Sequence, residues 1–307
     1  MITIVMPVYN EGPYIYDNVC TVDRLMKDNN IDARFLLVDD GSKDNSWESL
    51  CRLNADLKNV EILRLSRNFG KEAALCAALE NADDDAVVVM DADLQHPPEC
   101  IPEMVRLWKE EGYDVVEGVK TSRGKESLAN KLSAKMFYRA FRQTTGLELD
   151  AASDFKLMNR AALNAWKQFP ERNTFFRGLS AWVGFKRCQL PFEVAPRAGG
   201  ETKWTFGKLV KLATDSITAY SNAPLHVILW LGVLMAGAAG GLAIETLVQY
   251  FMGAAPGFST VILLQLFIGA CIMISLSILG LYVARIYDEV KGRPRYLICD
   301  RREDDKH

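Results

Sequence analysis

At 307 residues the chain is long enough for one large domain with an appendage. Its formal net charge of -3 offers no basic excess to a nucleic-acid partner, and none is expected. The seven cysteines form no CxxC pair and no Cys/His cluster, which excludes a disulfide framework and a zinc site and fits free thiols in a reducing compartment.

The first 120 residues alternate short apolar runs with amphipathic stretches. The runs are Ile2–Val8, Phe35–Val38, Val60–Leu65, Ala86–Met90 and Val115–Val119, and Trp47–Leu57 and Pro102–Glu111 are examples of the helical pattern between them. Continuous apolar runs separated by helices predict an α/β fold, a doubly wound, mainly parallel sheet covered on both faces. The chain opens directly on a strand with no signal peptide, so the soluble domain is expected in the cytoplasm.

Doubly wound sheets bind ligands at the carboxyl ends of their strands. Polar loops cluster there: Pro7-Val8-Tyr9-Asn10-Glu11-Gly12, Asp39-Asp40-Gly41-Ser42, Ser66-Arg67-Asn68-Phe69-Gly70-Lys71, and Asp91-Ala92-Asp93-Leu94-Gln95. Such a sheet edge suits a polar, phosphorylated ligand. Asp91 and Asp93, with Gln95 nearby, offer hard oxygen ligands to Mg²⁺ or Mn²⁺; turn chemistry is the alternative for the same residues. One carboxylate of Asp39 and Asp40 suits the imide N–H of a nucleobase, while the other suits a tight turn capping the helix near Ser46. Tyr9 and Glu11 are candidates for base or ribose. Two readings stand for Lys71, a phosphate contact or an exposed residue at a helix start.

Two apolar segments follow, about 225–251 and about 260–283. Between Leu225 and Val283 the only formally charged residue is Glu245. Each segment exceeds the roughly 20 residues needed to span the hydrocarbon layer, so a transmembrane hairpin is expected. Lys203, Lys208 and Lys211 precede it, Arg285, Lys291, Arg293 and Arg295 follow it, and the link carries no basic residue. The positive-inside rule then puts both termini in the cytoplasm, at the cytoplasmic (inner) membrane. Two amphipathic stretches, Ser127–Gln143 and Trp204–Tyr220, are expected at the membrane surface. The domain plan is a catalytic domain over 1–203, an interfacial helix over 204–224, two spans within 225–287 and a tail over 288–307.

The loops PVYNEG, VDDGS, RNFGK and DADLQ, in this order, resemble those of family 2 glycosyltransferases of the GT-A fold. The narrower likeness is to polyprenyl-phosphate glycosyltransferases, which include dolichol-phosphate mannose synthase and the bacterial bactoprenol glucosyltransferases. Ser153-Asp154-Phe155 and Gly200-Glu201-Thr202-Lys203-Trp204 share it, with Thr202 and Trp204 departing from the commoner serine and tyrosine. The resemblance implies an inverting transfer from a UDP- or GDP-sugar to polyprenyl phosphate, undecaprenyl phosphate in bacteria, with a divalent metal. By position, Pro7, Tyr9, Glu11 and Asp39 would hold the nucleoside, with Asp40 beside them. Asp91, Ala92, Asp93 and Gln95 would manage metal and diphosphate, and Arg197 and Lys203 would reach phosphates from a mobile loop. Lys120, Arg123 and Lys131 are candidates for the acceptor phosphate, or else a solvated basic face. Asp154 is the candidate general base. A phosphate monoester with a second pKa of about 6 scarcely needs one at neutral pH, so an orienting role stands beside it. Glucose is the preferred sugar; mannose, an N-acetylhexosamine or a modified sugar are alternatives, a nucleotide-sugar-binding scaffold is the non-enzymatic one, and homo-oligomerisation stays open.

Overall fold

The computed structural model describes residues 1–120, 152–169, 171, 176–177, 184–193, 223–252 and 258–302. These fall into two compact units. One takes the described residues up to 193 and those from Pro294 onward; the other takes the two long helices between.

The first unit is built on an eight-stranded sheet. Its strands are β1 (Ile2–Val8), β2 (Ala33–Asp39), β3 (Val60–Leu65), β4 (Ala86–Val89), β5 (Val115–Lys120), β6 (Ala152–Asn159), β7 (Arg187–Phe192) and β8 (Ile298–Arg302), in the spatial order β7-β5-β6-β4-β1-β2-β3-β8. β4, β1, β2 and β3 run parallel, whereas β6 and β8 are antiparallel to their neighbours. The expected doubly wound, mainly parallel sheet is therefore present. The helices are α1 (Ile15–Asp28), α2 (Ser46–Asp56), α3 (Lys71–Asn81), α4 (Ile101–Glu111) and α5 (Arg160–Lys167).

Side chains alternate across a strand with period two, and this sorts the core. Ile2, Ile4, Met6 and Val8 join Phe35, Leu37, Ile62 and Val88 in one cluster, with Ile15, Val19, Leu50, Leu53, Ile101 and Met104 from α1, α2 and α4 packed on it. The intervening residues Val5, Leu36, Val38 and Val87 are equally buried. They face the opposite side, where α3 packs against β1 and β2. Burial on both faces is why these strands read as unbroken apolar runs.

β8 was not expected within the tail. It returns after the long helices and pairs antiparallel with β3, Leu63 opposite Arg301 and Arg64 opposite Asp300. Arg295 reaches Glu80 at 3.1 Å and the carbonyl of Phe169, while the Tyr296 hydroxyl donates to Glu80 at 2.5 Å. A charged edge strand such as ICDRR closes the sheet and discourages further pairing. Deleting residues 297–307 is therefore expected to expose the apolar edge of β3. Each lost ladder bond is worth about 1 kcal/mol, and about 1 kcal/mol moves Tm by roughly 2–4 °C in a domain of this size. A fall in Tm on the order of 10 °C, with self-association on size exclusion, is the expected outcome; an unchanged melt would show that the strand adds no stability.

The second unit contains α6 (Ala223–Phe251) and α7 (Phe258–Val290), which contact one another. Both are long and apolar enough to cross a membrane. Of the apolar window Pro224–Leu242, 0% is buried, and of Phe267–Val290 only 6%. Trp230, Leu234, Phe251, Met273 and Val283 are all exposed. A core helix of a soluble protein would bury such side chains. At about 1.5 Å per residue α7 is roughly 50 Å long, more than the roughly 30 Å hydrocarbon layer requires. It runs on past Val283 through Arg285, Asp288 and Glu289.

Candidate active site

The strand order places a topological switch point between β1 and β4. β1 connects outward to β2, while β4 begins the other half of the sheet. Connections leaving in opposite directions open a crevice at the carboxyl ends of these two strands. A cleft of about 260 Å³ lies there, lined by Pro7, Val8, Tyr9 and Glu11 after β1, Asp40 after β2, Asn68, Gly70, Lys71 and Ala74 after β3, and Asp91, Ala92 and Asp93 after β4.

The loops are tied to one another before any ligand is considered. Asp40 accepts from the backbone N–H of Phe69 at 2.7 Å and of Gly70 at 2.9 Å, which pins the third loop to the second. Burial pushes the Asp40 carboxyl up, and those two N–H donors oppose the shift. Gly41 has φ +64°, and a Cβ there would sit 2.5 Å from the carbonyl carbon of Arg67, so only glycine allows this approach. Asn10 closes the first loop on the second: its N–H donates to Ser42 Oγ at 3.0 Å and its Oδ1 accepts from Lys43 N–H at 3.0 Å.

Asp39 lies behind this wall. It is fully buried, accepts from Ser42 N–H at 3.0 Å and pairs with Arg64 at 3.2 Å. Asp40, not Asp39, lines the cleft. Neither caps the helix near Ser46. Asp44 makes that turn, accepting from the Ser46 N–H at 3.1 Å and from its hydroxyl at 2.5 Å.

The Asp91-Ala92-Asp93 loop is held on three sides. The Ala92 carbonyl accepts from Asn18 Nδ2 at 2.8 Å, and Asp93 Oδ1 accepts from Gln95 N–H at 3.0 Å. Leu94 adopts a left-handed φ of 54°, which turns the chain back on itself at a cost of about 1–2 kcal/mol. The third support is His96, which the sequence did not flag. It is buried, stacked on Phe155 at 5.2 Å and edge-on to Phe192 at 5.9 Å. Its Nδ1 accepts from the Asp91 N–H at 3.1 Å, which assigns the proton of the neutral ring to Nε2. Burial lowers its pKa, keeping the ring neutral at physiological pH.

Lys71 is the exposed first residue of α3, as one of its two readings had it, but its ammonium is not free. Its Nζ bridges Asp91 at 2.5 Å and Asp154 at 2.7 Å. Burial opposes its charge, but the two carboxylates win and raise its pKa. Asp154 points to the α3 side because Phe155, its neighbour on β6, faces the core cluster of α1, α2 and α4. It is also gripped by Arg177, Nε to Oδ1 at 2.7 Å and Nη2 to Oδ2 at 3.0 Å. Burial alone would raise the Asp154 pKa; Arg177 and Lys71 instead hold it well below the usual carboxylate range. Lys120, at the end of β5, is half-buried, and burial together with nearby Arg177 lowers its pKa. No carboxylate among the described residues lies within ion-pair distance of it. Nothing local in the sequence singled out Arg177, which stands 23 residues from its partner.

Arg123, Lys131, Arg197 and Lys203 lie outside the described residues, as do the two amphipathic stretches expected at the membrane surface.

The model of Glycosyl transferase family 2 matches residues 3–166. The chain belongs to this family. The glycosyltransferase is 38% identical over 301 residues to the Bacillus subtilis protein named uncharacterized glycosyltransferase YkcC, covering 96% of this chain and 92% of that one. It is 33% identical over 305 residues to the prophage bactoprenol glucosyl transferase homolog of Escherichia coli K12, covering 97% and 98%. Among solved structures, glucosyl-3-phosphoglycerate synthase from Mycobacterium tuberculosis in complex with Mn²⁺, UDP and phosphoglyceric acid aligns with TM-score 0.49 at 21% identity, over 70% of this chain and 74% of that one. The transferase thus has the GT-A fold read from its loops, and its cleft lies at the strand ends where such sheets bind ligands.

Proposed function

We propose that this glycosyltransferase moves a hexose, glucose first among them, from a UDP-sugar to polyprenyl phosphate at the cytoplasmic face of a membrane. The observation that carries the reading is whole-chain likeness to a protein named for bactoprenol glucosyl transfer, spanning the catalytic unit and both apolar helices. The cleft suits it. Pro7, Tyr9, Glu11 and Asp40 line the cleft and are assigned to the nucleoside; Asp39, buried and paired with Arg64, supports the loop that carries Asp40.

The residues present fit a divalent cation. Asp91 and Asp93 both line the cleft, their donors are hard oxygens, and the Asp93 carboxylate spends one oxygen on Gln95 N–H. Among the described residues no cluster of three or more His, Cys, Asp or Glu could enclose a metal. Two carboxylates leave open positions for diphosphate and water, as Mg²⁺ and Mn²⁺ sites commonly do. A bound cation would neutralise charge on the departing nucleoside diphosphate.

The acceptor phosphate attacks the anomeric carbon opposite the diphosphate, inverting that centre. Lys120, half-buried and unpaired among the described residues, is assigned to the acceptor phosphate, with Lys71 and Arg177 nearby. Asp154 is a poor proton acceptor because two cations hold it ionised. It is assigned to fixing those cations. Arg123, Lys131, Arg197 and Lys203 complete the phosphate contacts in this reading.

Two measurements address the proposal. UDP with Mn²⁺ is expected to raise the melting temperature and GDP is not; the reverse would change the donor class. In a cysteine-free background, Gly257→Cys should react with an impermeant thiol reagent added outside cells and Asp304→Cys should not. Labelling at Asp304→Cys alone would invert the topology.

A further inference from the structure

Lys71 has a neighbour with a different partner. Glu72 lies beside it in the first turn of α3, and its Oε2 accepts from the backbone N–H of Phe176 at 2.9 Å. Phe176 is buried, its ring edge-on to Trp166 with centroids 6.4 Å apart and the Lys156 ammonium 5.0 Å from its centre. The next residue is Arg177, whose guanidinium makes the two-bond grip on Asp154. One helical turn therefore reaches both sides of the clamp. Lys71 touches Asp154 directly, and Glu72 anchors the backbone about 3.8 Å, one Cα step, before Arg177.

Burial, opposed by the Phe176 N–H, pushes the Glu72 carboxyl up to about 7; Asp154 adds to the shift, while Lys71 and Arg177 oppose it. Near neutrality both protonation forms are populated, and either retains an oxygen that accepts the hydrogen bond. What the site requires of residue 72 is an acceptor at that reach, not a charge.

We infer that Glu72 is a positioning residue of the transfer reaction, its hydrogen bond to Phe176 setting Arg177 on Asp154 and so shaping the cations offered to the acceptor phosphate. This rests on the phosphate-acceptor reading above. The rival role is a plain acidic residue at a helix N-terminus, which any carboxylate fills.

Two substitutions separate the roles. Glu72→Gln keeps reach and acceptor but removes the charge. Glu72→Asp keeps the charge but is one methylene short. Each is compared with wild type, alone and in an Arg177→Ala background, for kcat and for KM of polyprenyl phosphate, with UDP affinity measured separately. Glu72→Gln should stay within about twofold of wild type, whereas Glu72→Asp should lose about tenfold to a hundredfold in kcat/KM for the lipid at unchanged UDP affinity. In the Arg177→Ala background Glu72→Asp should add no further loss, because the two act as one unit. The inference is overturned if Glu72→Asp is harmless, if Glu72→Gln falls as far, if the losses multiply, or if Glu72→Asp also loses UDP. Should wild type make no lipid-linked sugar, the acceptor reading fails by itself. The same comparison on UDP-sugar hydrolysis then decides for or against Glu72 by the same criteria.

Discussion

Asp93→Ala is expected to abolish sugar transfer while leaving the protein folded and membrane-bound. Asp93 lies in the exposed part of its loop, where its carboxylate accepts a hydrogen bond from Gln95 N–H at 3.0 Å. Loss of that bond should leave stability within about 1 kcal/mol of wild type. The loop itself is held by Asn18 and His96, which the substitution leaves in place. A metal's stabilisation of the departing charge is worth several kcal/mol, so the loss of rate should be on the order of 10³-fold or more. EDTA should silence the wild-type enzyme to the same extent, and added Mg²⁺ or Mn²⁺ should restore it. Turnover in Asp93→Ala near the wild-type rate would remove the metal assignment.

Asp154→Asn should have the second large effect, with a distinctive pH signature. The amide keeps size and one acceptor but withdraws the charge that binds Lys71 and Arg177. Breaking a buried ion pair from one side costs about 3–5 kcal/mol, because the remaining charges are left uncompensated. The folded-state pKa of Asp154 lies below its unfolded value, so its contribution to stability is complete above about pH 4 and is lost only as pH falls through the lower folded value. Between pH 6 and pH 8 that contribution is constant. A catalytic loss on the order of 10²-fold or more, nearly independent of pH across this range, is therefore expected. A true base would give a loss concentrated below about pH 6, where the acceptor still carries its proton. A deficit in Asp154→Asn that disappears at high pH would show that proton removal is the role of this carboxylate.

The parallel half of the sheet was legible because its strands are buried on both faces. Ile2–Val8 and Val60–Leu65 match the observed bounds, and β2 extends the expected run through Ala33, Arg34 and Asp39. β6 was illegible as a strand because its polar residues point inward. Lys156 is fully buried against Glu117 at 3.2 Å, and Asp154 against Arg177, so polar residues there do not mark a solvated face. β7 carries Pro191, which an edge strand tolerates but which breaks a strand pattern in sequence. β8 carries charge at Asp300, Arg301 and Arg302 and is separated from β3 by the whole apolar hairpin, so no local signal joins them. The loops of the site were readable as chemistry because each follows an apolar run. Their internal bonds were not: that Asp40 lines the cleft while Asp39 faces Arg64 depends on which way each side chain leaves the strand end. Arg177 joins the site only through folding, 23 residues from Asp154, while Glu72 and His96 sit beside Lys71 and Gln95 in sequence but meet their partners Phe176, 104 residues from Glu72, and Phe155 only in the fold.

The central claim is that the cleft at the β1/β4 switch point serves a lipid phosphate. Its most direct measurement is a mass-spectrometric assay of lipid products from purified protein, undecaprenyl phosphate and Mn²⁺, offered UDP-glucose, UDP-N-acetylhexosamines and GDP-mannose in parallel. The account predicts one product, undecaprenyl phosphate carrying a single hexose from UDP-glucose, absent with Asp93→Ala. Sugar appearing on a soluble acceptor, or free sugar alone with every donor while the lipid stays unmodified, would contradict it.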